Sequence, residues 1–166
     1  LRIYRDFTDH DHVFGTGADS AAIAHFYRQR YTLREKYPYL CRIKTDNMEC
    51  RMISQFLIAA PSSGSGKTTV SRGLMALLIK KGLKVQPFKC GPDYIDTKYH
   101  TAVCGRPSIN LDTFMASAEH VGELYARYAT GADACIVEGM MGMYDGYDRD
   151  RGSSAEIARL LYPSYW

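Results

Sequence analysis

Between Gln55 and Lys81 an apolar run, a loop of small residues and an amphipathic stretch follow one another, and this succession restricts the fold more than any other part of the chain. Gln55–Ala60 (QFLIAA) is short, apolar and followed at once by a turn signal, which reads as a buried strand. Pro61–Gly66 is a small, flexible turn. From Lys67 to Lys81 the apolar residues Val70, Leu74, Leu77 and Leu78 recur at helical spacing. Lys80 and Lys81 suit the negative end of that helix, and Gly82 is a natural residue just past it. Val85–Phe88 reads as a second strand, Ala118–Ala129 as a helix after Ser117, and Ala134–Val137 (ACIV) as a third buried strand. Ser153-Ser154-Ala155-Glu156 is a capping box opening a last helix. Strand and helix in alternation predict an α/β fold with a mostly parallel sheet and flanking helices.

The turn itself carries chemistry. Pro61-Ser62-Ser63-Gly64-Ser65-Gly66-Lys67-Thr68-Thr69 matches GxxxxGK[ST] at Gly66, Lys67 and Thr68, with Pro61 in place of the first glycine. Gly64 and Gly66 allow positive φ and a close approach of phosphate to the backbone. Successive N–H groups then face the anion, and the helix behind adds its positive end. A glycine-rich turn before an ordinary helix is the plain alternative. The strand before and the amphipathic helix after favour a P-loop for ATP, with Ser63, Gly64, Ser65, Gly66, Lys67, Thr68 and Thr69 as its cradle. Lys67 reaches the β/γ-phosphates and Thr68 joins the shell of a Mg²⁺ ion.

Magnesium needs oxygen donors and usually one or two protein carboxylates. Two acidic clusters follow the second and third strands: Lys89-Cys90-Gly91-Pro92-Asp93-Tyr94-Ile95-Asp96 and Glu138-Gly139-Met140-Met141-Gly142-Met143-Tyr144-Asp145-Gly146. In a parallel sheet the strand C-termini share one edge, where ligands bind. Thr68, Asp93, Asp96, Glu138 and Asp145 are therefore expected to converge on one crevice. Turn formation is the competing explanation for Asp93, Asp96 and Asp145. Glu138 ends a buried strand, where a carboxylate needs a partner or a metal. Met140–Met143 reads as local packing.

The remaining sequence mostly excludes. No apolar run exceeds the six residues of Leu74–Ile79, against the ~20 of a membrane span. Lys and Arg number 21 against 18 Asp and Glu, and a net charge of +3 is too small to argue for nucleic acid. The five cysteines at 41, 50, 90, 104 and 135 form no CxxC pair and read as free thiols of a reducing, cytoplasmic compartment. Residues 1–51 read as an extension with no function of its own. Ala21–Tyr31 suggests a short helix capped by Asp19 or Ser20, and the Tyr- and Arg-rich composition offers only a weak case for single-stranded nucleic acid. His10-Asp11-His12 lacks further ligands for a metal site.

With these residues in view, the chain resembles the cobyrinate a,c-diamide synthase family, through FLIAAPSSGSGKTT, FKCGPDYIDTKYH, GRPSINLDTFM, VEGMMGMYDG and GSSAEIARLL. The resemblance runs from about Phe56 to Leu161, and in it Pro61 is the usual residue at the first glycine position. It implies a dethiobiotin-synthetase-like P-loop fold over 52–166, with Met52 as its natural start. It implies ATP- and Mg²⁺-dependent amidation of the a and c side-chain carboxylates of cobyrinate through an acyl phosphate, with glutamine or ammonia as nitrogen donor. By the resemblance, Lys67, Lys89, Asp93, Asp96, Glu138 and Asp145 serve catalysis, and Thr68, Asp93 and Glu138 hold the metal. A homodimer of the full-length protein is also expected, without nucleic-acid or membrane partners. Two features depart from the family. No cysteine stands in the GxCxG elbow of the family's glutamine amidotransferase domain, so that half is expected to be absent and the ATP-binding part inactive with glutamine on its own. Residues 1–51 and the ending after Leu161 match nothing in the family. Nickel-sirohydrochlorin a,c-diamide synthase is the nearest rival. A non-catalytic nucleotide switch is the other; such proteins favour a second Lys early in the loop, where Ser62 and Ser63 stand here.

Overall fold

The computed structural model describes residues 2–5, as backbone, and 53–161. Ala21–Tyr31 and His10-Asp11-His12 lie outside the described residues. The apolar run forms strand β2 (Ser54–Ala59), preceded by β1 (Arg2–Arg5). Helix α1 (Lys67–Lys80) follows the loop, then β3 (Val85–Cys90), α2 (Asp96–Cys104), β4 (Ile109–Leu111), α3 (Ala118–Ala129), β5 (Ala134–Glu138) and α4 (Ser154–Leu161). The strands make one sheet in the order β1-β2-β5-β3-β4. β2, β5, β3 and β4 are mutually parallel, as the alternation of elements requires, and β1 lies antiparallel on β2, with Arg2 opposite Ala59. The outer edge of β2 is thus paired rather than open.

Alternation along the strands divides the interior into two layers. Leu57, Ala59, Phe88, Cys90, Cys135 and Val137 pack against Val121 and Tyr125 of α3 and Ile157, Ala158 and Leu161 of α4. Ile58, Val85 and Ile136 face the other way, against Met75, Val70, Leu74 and Leu78 of α1 and Val103 of α2. The Phe88 and Tyr125 rings meet at 4.7 Å between centroids.

Local signals set most boundaries. Ser117 caps α3, its hydroxyl accepting from the His120 N–H at 3.2 Å. α1 ends as expected, with Gly82 at φ 82° and its N–H on the Ile79 carbonyl at 2.8 Å. The Ser153 hydroxyl accepts from Glu156 N–H at 3.2 Å, but the Glu156 carboxylate turns to the Gly152 N–H at 2.6 Å and the Thr113 hydroxyl at 2.5 Å. That half of the capping box therefore ties the helix start to the loop after β4.

Three features differ from the sequence expectations. β3 and β5 run on to Cys90 and Glu138, past the apolar residues, because Lys89 and Glu138 are themselves register partners. α2 was not expected: DTKYHTAVC has no continuous apolar stripe, and its buried residue is a histidine, His100. β4 is only three residues long. Pro87 has no N–H to give a neighbour, and β4 pairs with β3 only beyond it, from Phe88 to Cys90.

Phe88 is fully buried at the centre of the sheet. Phe88→Ala is expected to lower the unfolding free energy by about 3–5 kcal/mol, and Ser117→Ala by about 1 kcal/mol. Urea denaturation of the two variants checks the contrast.

Candidate active site: a glycine-rich loop facing the acidic strand ends

The loop after β2 meets α1 at Gly66, which sits at φ 81°, and Gly64 sits at φ 71°. A Cβ at either position would meet nothing within 4 Å, so backbone conformation and not space calls for glycine there. No side chain caps the start of α1. Within the loop, the Ser65 hydroxyl donates to the Ser62 carbonyl at 2.9 Å. Lys67 folds back over the loop, its Nζ donating to the carbonyls of Ser62 at 3.1 Å and Met141 at 2.5 Å. Burial and the nearby Lys89 charge lower its pKa from the ordinary lysine value, against the pull of Glu138, Asp145 and Asp96. The cradle thus holds a cation against the two loops that face each other across it.

Because Phe88, Cys90 and Val137 point into the α3/α4 layer, Lys89 and Glu138 point the other way, toward α1 and α2. Lys89 Nζ donates to Asp96 Oδ2 at 2.7 Å and Glu138 Oε1 at 2.8 Å. Thr68, in the first turn of α1, donates to Glu138 Oε1 at 2.7 Å and lies 3.3 Å from Asp96 Oδ2. The acidic strand ends and the Ser/Gly loop therefore share one side of the sheet.

Glu138 is wholly buried. Burial alone would raise its pKa, but hydrogen bonds from His100 and Lys89, the Lys89 charge and the Thr68 hydroxyl hold it well below the usual carboxylate range. Burial likewise works against the Lys89 charge, and the hydrogen bonds and charges of Asp96 and Glu138 outweigh it, so its pKa is raised. His100 was missed by sequence reasoning. Its Nε2 lies 2.7 Å from Glu138 Oε2 and its Nδ1 3.2 Å from Ser108 Oγ. An ionised Glu138 only accepts, so Nε2 carries the proton. The available signal was weak: a polar residue four positions after Asp96, on a helix without an apolar stripe.

The expected site residues have unequal places. Ser63, Gly64, Ser65, Gly66, Lys67, Thr68 and Thr69 line a cavity of about 520 Å³, together with Lys89, Asp93, Asp96 and Glu138. Asp93 Oδ1 accepts the N–H groups of Ile95 and Asp96 at 2.8 and 2.9 Å, which starts α2, while Oδ2 stands 3.7 Å from Lys89. Burial opposes its charge, and those backbone donors and Lys89 keep its pKa low. Asp145 is exposed and outside the cavity lining, and its Oδ2 accepts the Gly142 N–H at 2.8 Å. A Cβ on Gly142 would stand 2.5 Å from the Pro61 carbonyl oxygen, so that turn packs directly on the start of the cradle.

Among the described residues no group of three or more His, Cys, Asp or Glu forms a self-contained metal cage. A hydroxyl and two carboxylates beside a phosphate cavity do suit magnesium, which takes hard oxygen ligands and completes its shell with phosphates and water. Thr68 and Glu138 of the expected set would supply such oxygens, with Asp96 lying closer to them than Asp93, whose Oδ1 is taken by the start of α2; the Lys89 ammonium stands between Glu138 and Asp96.

A family model described as the CobQ/CobB/MinD/ParA nucleotide binding domain matches residues 56–146. The chain belongs to that family. Among its relatives in this nucleotide-binding family is the cobyrinate a,c-diamide synthase of Picrophilus torridus, 54% identical over 111 residues, which are 66% of this chain and 25% of that protein. The hydrogenobyrinate a,c-diamide synthase of Streptomyces coelicolor is 50% identical over 111 residues, 66% of this chain and 23% of that protein. A cobyrinate a,c-diamide synthase of Listeria monocytogenes is 50% identical over 110 residues, 64% of this chain and 24% of that protein. The chain thus spans about a quarter of the length of the curated relatives it matches. No helix among the described residues is long and apolar enough to cross a membrane.

Glu138 has a folded pKa of about 2 against an ordinary 4.5. Its ionisation favours the folded state, so its contribution is complete above the ordinary value and is lost as pH falls toward the folded one. Urea midpoints measured from pH 6 down to about pH 3 are expected to fall more steeply in the parent chain than in Glu138→Gln. His100→Ala leaves Glu138 Oε2 buried without its partner and is expected to cost about 1–3 kcal/mol, read from the same denaturation curves.

Proposed function

We propose that this chain is the ATP-binding part of an amidoligase that converts the a and c side-chain carboxylates of cobyrinate to amides, with glutamine or ammonia supplying nitrogen, in cobalamin biosynthesis. The observation that carries the reading is the Thr68–Glu138–Lys89–Asp96 cluster, with Glu138 and Lys89 buried, bordering the loop-lined cavity. Relatives named as diamide synthases at about half identity support the choice of reaction.

In this reading the N–H groups of Ser63 to Thr69 and the positive end of α1 bind the triphosphate. Lys67 offsets charge on the β- and γ-oxygens. Thr68, Glu138 and Asp96, with Asp93 nearby, would hold Mg²⁺, which when bound neutralises charge on the transferring phosphoryl group. Lys89 borders the same cavity and steers the substrate carboxylate toward the γ-phosphorus. A carboxylate oxygen forms a bond to that phosphorus as the bond to ADP breaks, giving an acyl phosphate. Ammonia then adds to the acyl carbon, loses a proton and expels phosphate, leaving the amide. His100 holds Glu138 in place from behind, and Asp145 fixes the turn against Pro61.

Among the described residues no cysteine is suited to releasing ammonia from glutamine. Cys90, Cys104 and Cys135 are free thiols, and burial pushes them up to about 12, 11 and 12. A thiol held so far from its thiolate form is a poor nucleophile for glutamine. Free thiols also suit a reducing, cytoplasmic setting.

Lys67→Ala is expected to reduce ATP affinity by at least tenfold, or about 1.4 kcal/mol, by equilibrium dialysis. Glu138→Gln is expected to keep most of that affinity and lose amide formation from cobyrinate, ATP and ammonium, followed by mass spectrometry. Full amide formation by Glu138→Gln would refute the role given to that carboxylate.

A further inference from the structure

A second hollow adjoins the phosphate cavity and shares Pro92, Met140 and Met141 with it. It has a volume of about 250 Å³. Nothing in the phosphoryl-transfer chemistry uses it. Its wall beyond Met141 is aromatic: Phe114 and Tyr147 meet edge to face at 4.9 Å between centroids, and Phe114 is 68% exposed. Tyr147 rests on Gly152, where a Cβ would stand 2.5 Å from the ring, so the ring's seat is shaped by backbone.

Asp112 lines the same hollow. Its Oδ1 accepts the Phe114 N–H at 2.9 Å, which fixes the carboxylate, while Oδ2 is buried with no hydrogen-bond partner. A buried carboxylate oxygen left unpaired is costly, and a small turn of the Asp112 side chain toward the hollow lets a donor on a bound molecule relieve that cost.

We propose that this hollow, with Pro92, Asp112, Phe114, Met140, Met141 and Tyr147, seats the apolar body of the acid to be amidated. It takes one edge of a flat macrocycle against the Phe114–Tyr147 pair, and Asp112 accepts a hydrogen bond from a donor on it. The inference rests on the amidoligase reading and names the surface that reads the substrate. Continuity through Pro92, Met140 and Met141 explains the placement. An acid whose body lies on the aromatic wall can extend a side-chain carboxylate across the methionines to Lys89 and the transferred phosphate. The division of labour is the usual one for a ligand site: apolar and aromatic surface supplies contact, and a single polar group supplies orientation.

The test is a titration of the chain with cobyrinate, followed by its visible absorbance in equilibrium dialysis, beside a parallel titration with ATP. Phe114→Ala removes an exposed ring and is expected to weaken cobyrinate binding about tenfold. Asp112→Asn, which keeps an acceptor for the Phe114 N–H, is expected to weaken it by a smaller factor. Both variants are expected to bind ATP within twofold of the parent. Cobyrinate affinity unchanged in Phe114→Ala, with binding by the parent intact, overturns the seat and leaves the amidoligase reading standing. A parent chain that binds ATP but no cobyrinate overturns both. Equal losses of ATP and cobyrinate binding in Phe114→Ala report a general loss of structure, and Asp112→Asn then decides: cobyrinate affinity unchanged there, with ATP binding intact, overturns the seat.

Discussion

A carboxylate at the end of a buried strand has to be satisfied, and the way Glu138 is satisfied organises this molecule. Both of its oxygens are taken: Oε1 by Thr68 and Lys89, Oε2 by His100. Those partners come from α1, β3 and α2, so one acid ties three consecutive elements to the C-terminal edge of the sheet. Removing an ion from water and leaving it unpaired costs several kcal/mol. The cluster therefore holds only if α1 starts where it does, β3 keeps its register with β5, and α2 turns His100 inward. The phosphate loop depends on the same condition, because Thr68 stands directly after its lysine.

Charge explains the arrangement further. Lys89 is a buried ammonium shared between two acids, and Lys67 is a second cation held by backbone carbonyls a short distance away. Like charges so close disfavour each other, which is part of why the Lys67 pKa is lowered. An incoming polyanion answers both, since it brings negative charge to the side of the cavity where Lys67 has only neutral carbonyls. The acids, already paired with Lys89, offer that polyanion less repulsion than their number suggests.

The parts of this fold that could be read in the amino-acid order are those with strong local rules. Gln55–Ala60 and Ala134–Val137 are apolar runs of strand length, α1 has a regular stripe, and Ser117 and Ser153 are recognisable caps. The loop is visible because few sequences place glycines, lysine and threonine at that spacing between a strand and a helix. What escaped was non-local. Nothing in DTKYHTAVC indicates a helix until Asp93 is seen to accept two of its N–H groups and His100 to reach across to Glu138. β4 is too short to have a period, and β1 acquires its role only by pairing with β2. At the site, spacing brought Thr68, Glu138, Lys89 and Asp96 to one edge. It left open whether Asp93 and Asp145 serve a site or a turn, and only the contacts decide that one oxygen of Asp93 starts a helix and that Asp145 holds a turn.

The beginning of α1 is unfinished on its own. Gly66 brings no hydroxyl or carboxylate to the first turn, and no acidic residue lies in that turn. Most helices complete this end from within the chain. Here the missing counterpart has to arrive from solution, so the persistence of the first turn is linked to how much nucleotide surrounds the protein. Supplied with it, the opening of the helix and the grip on the ligand become one and the same event.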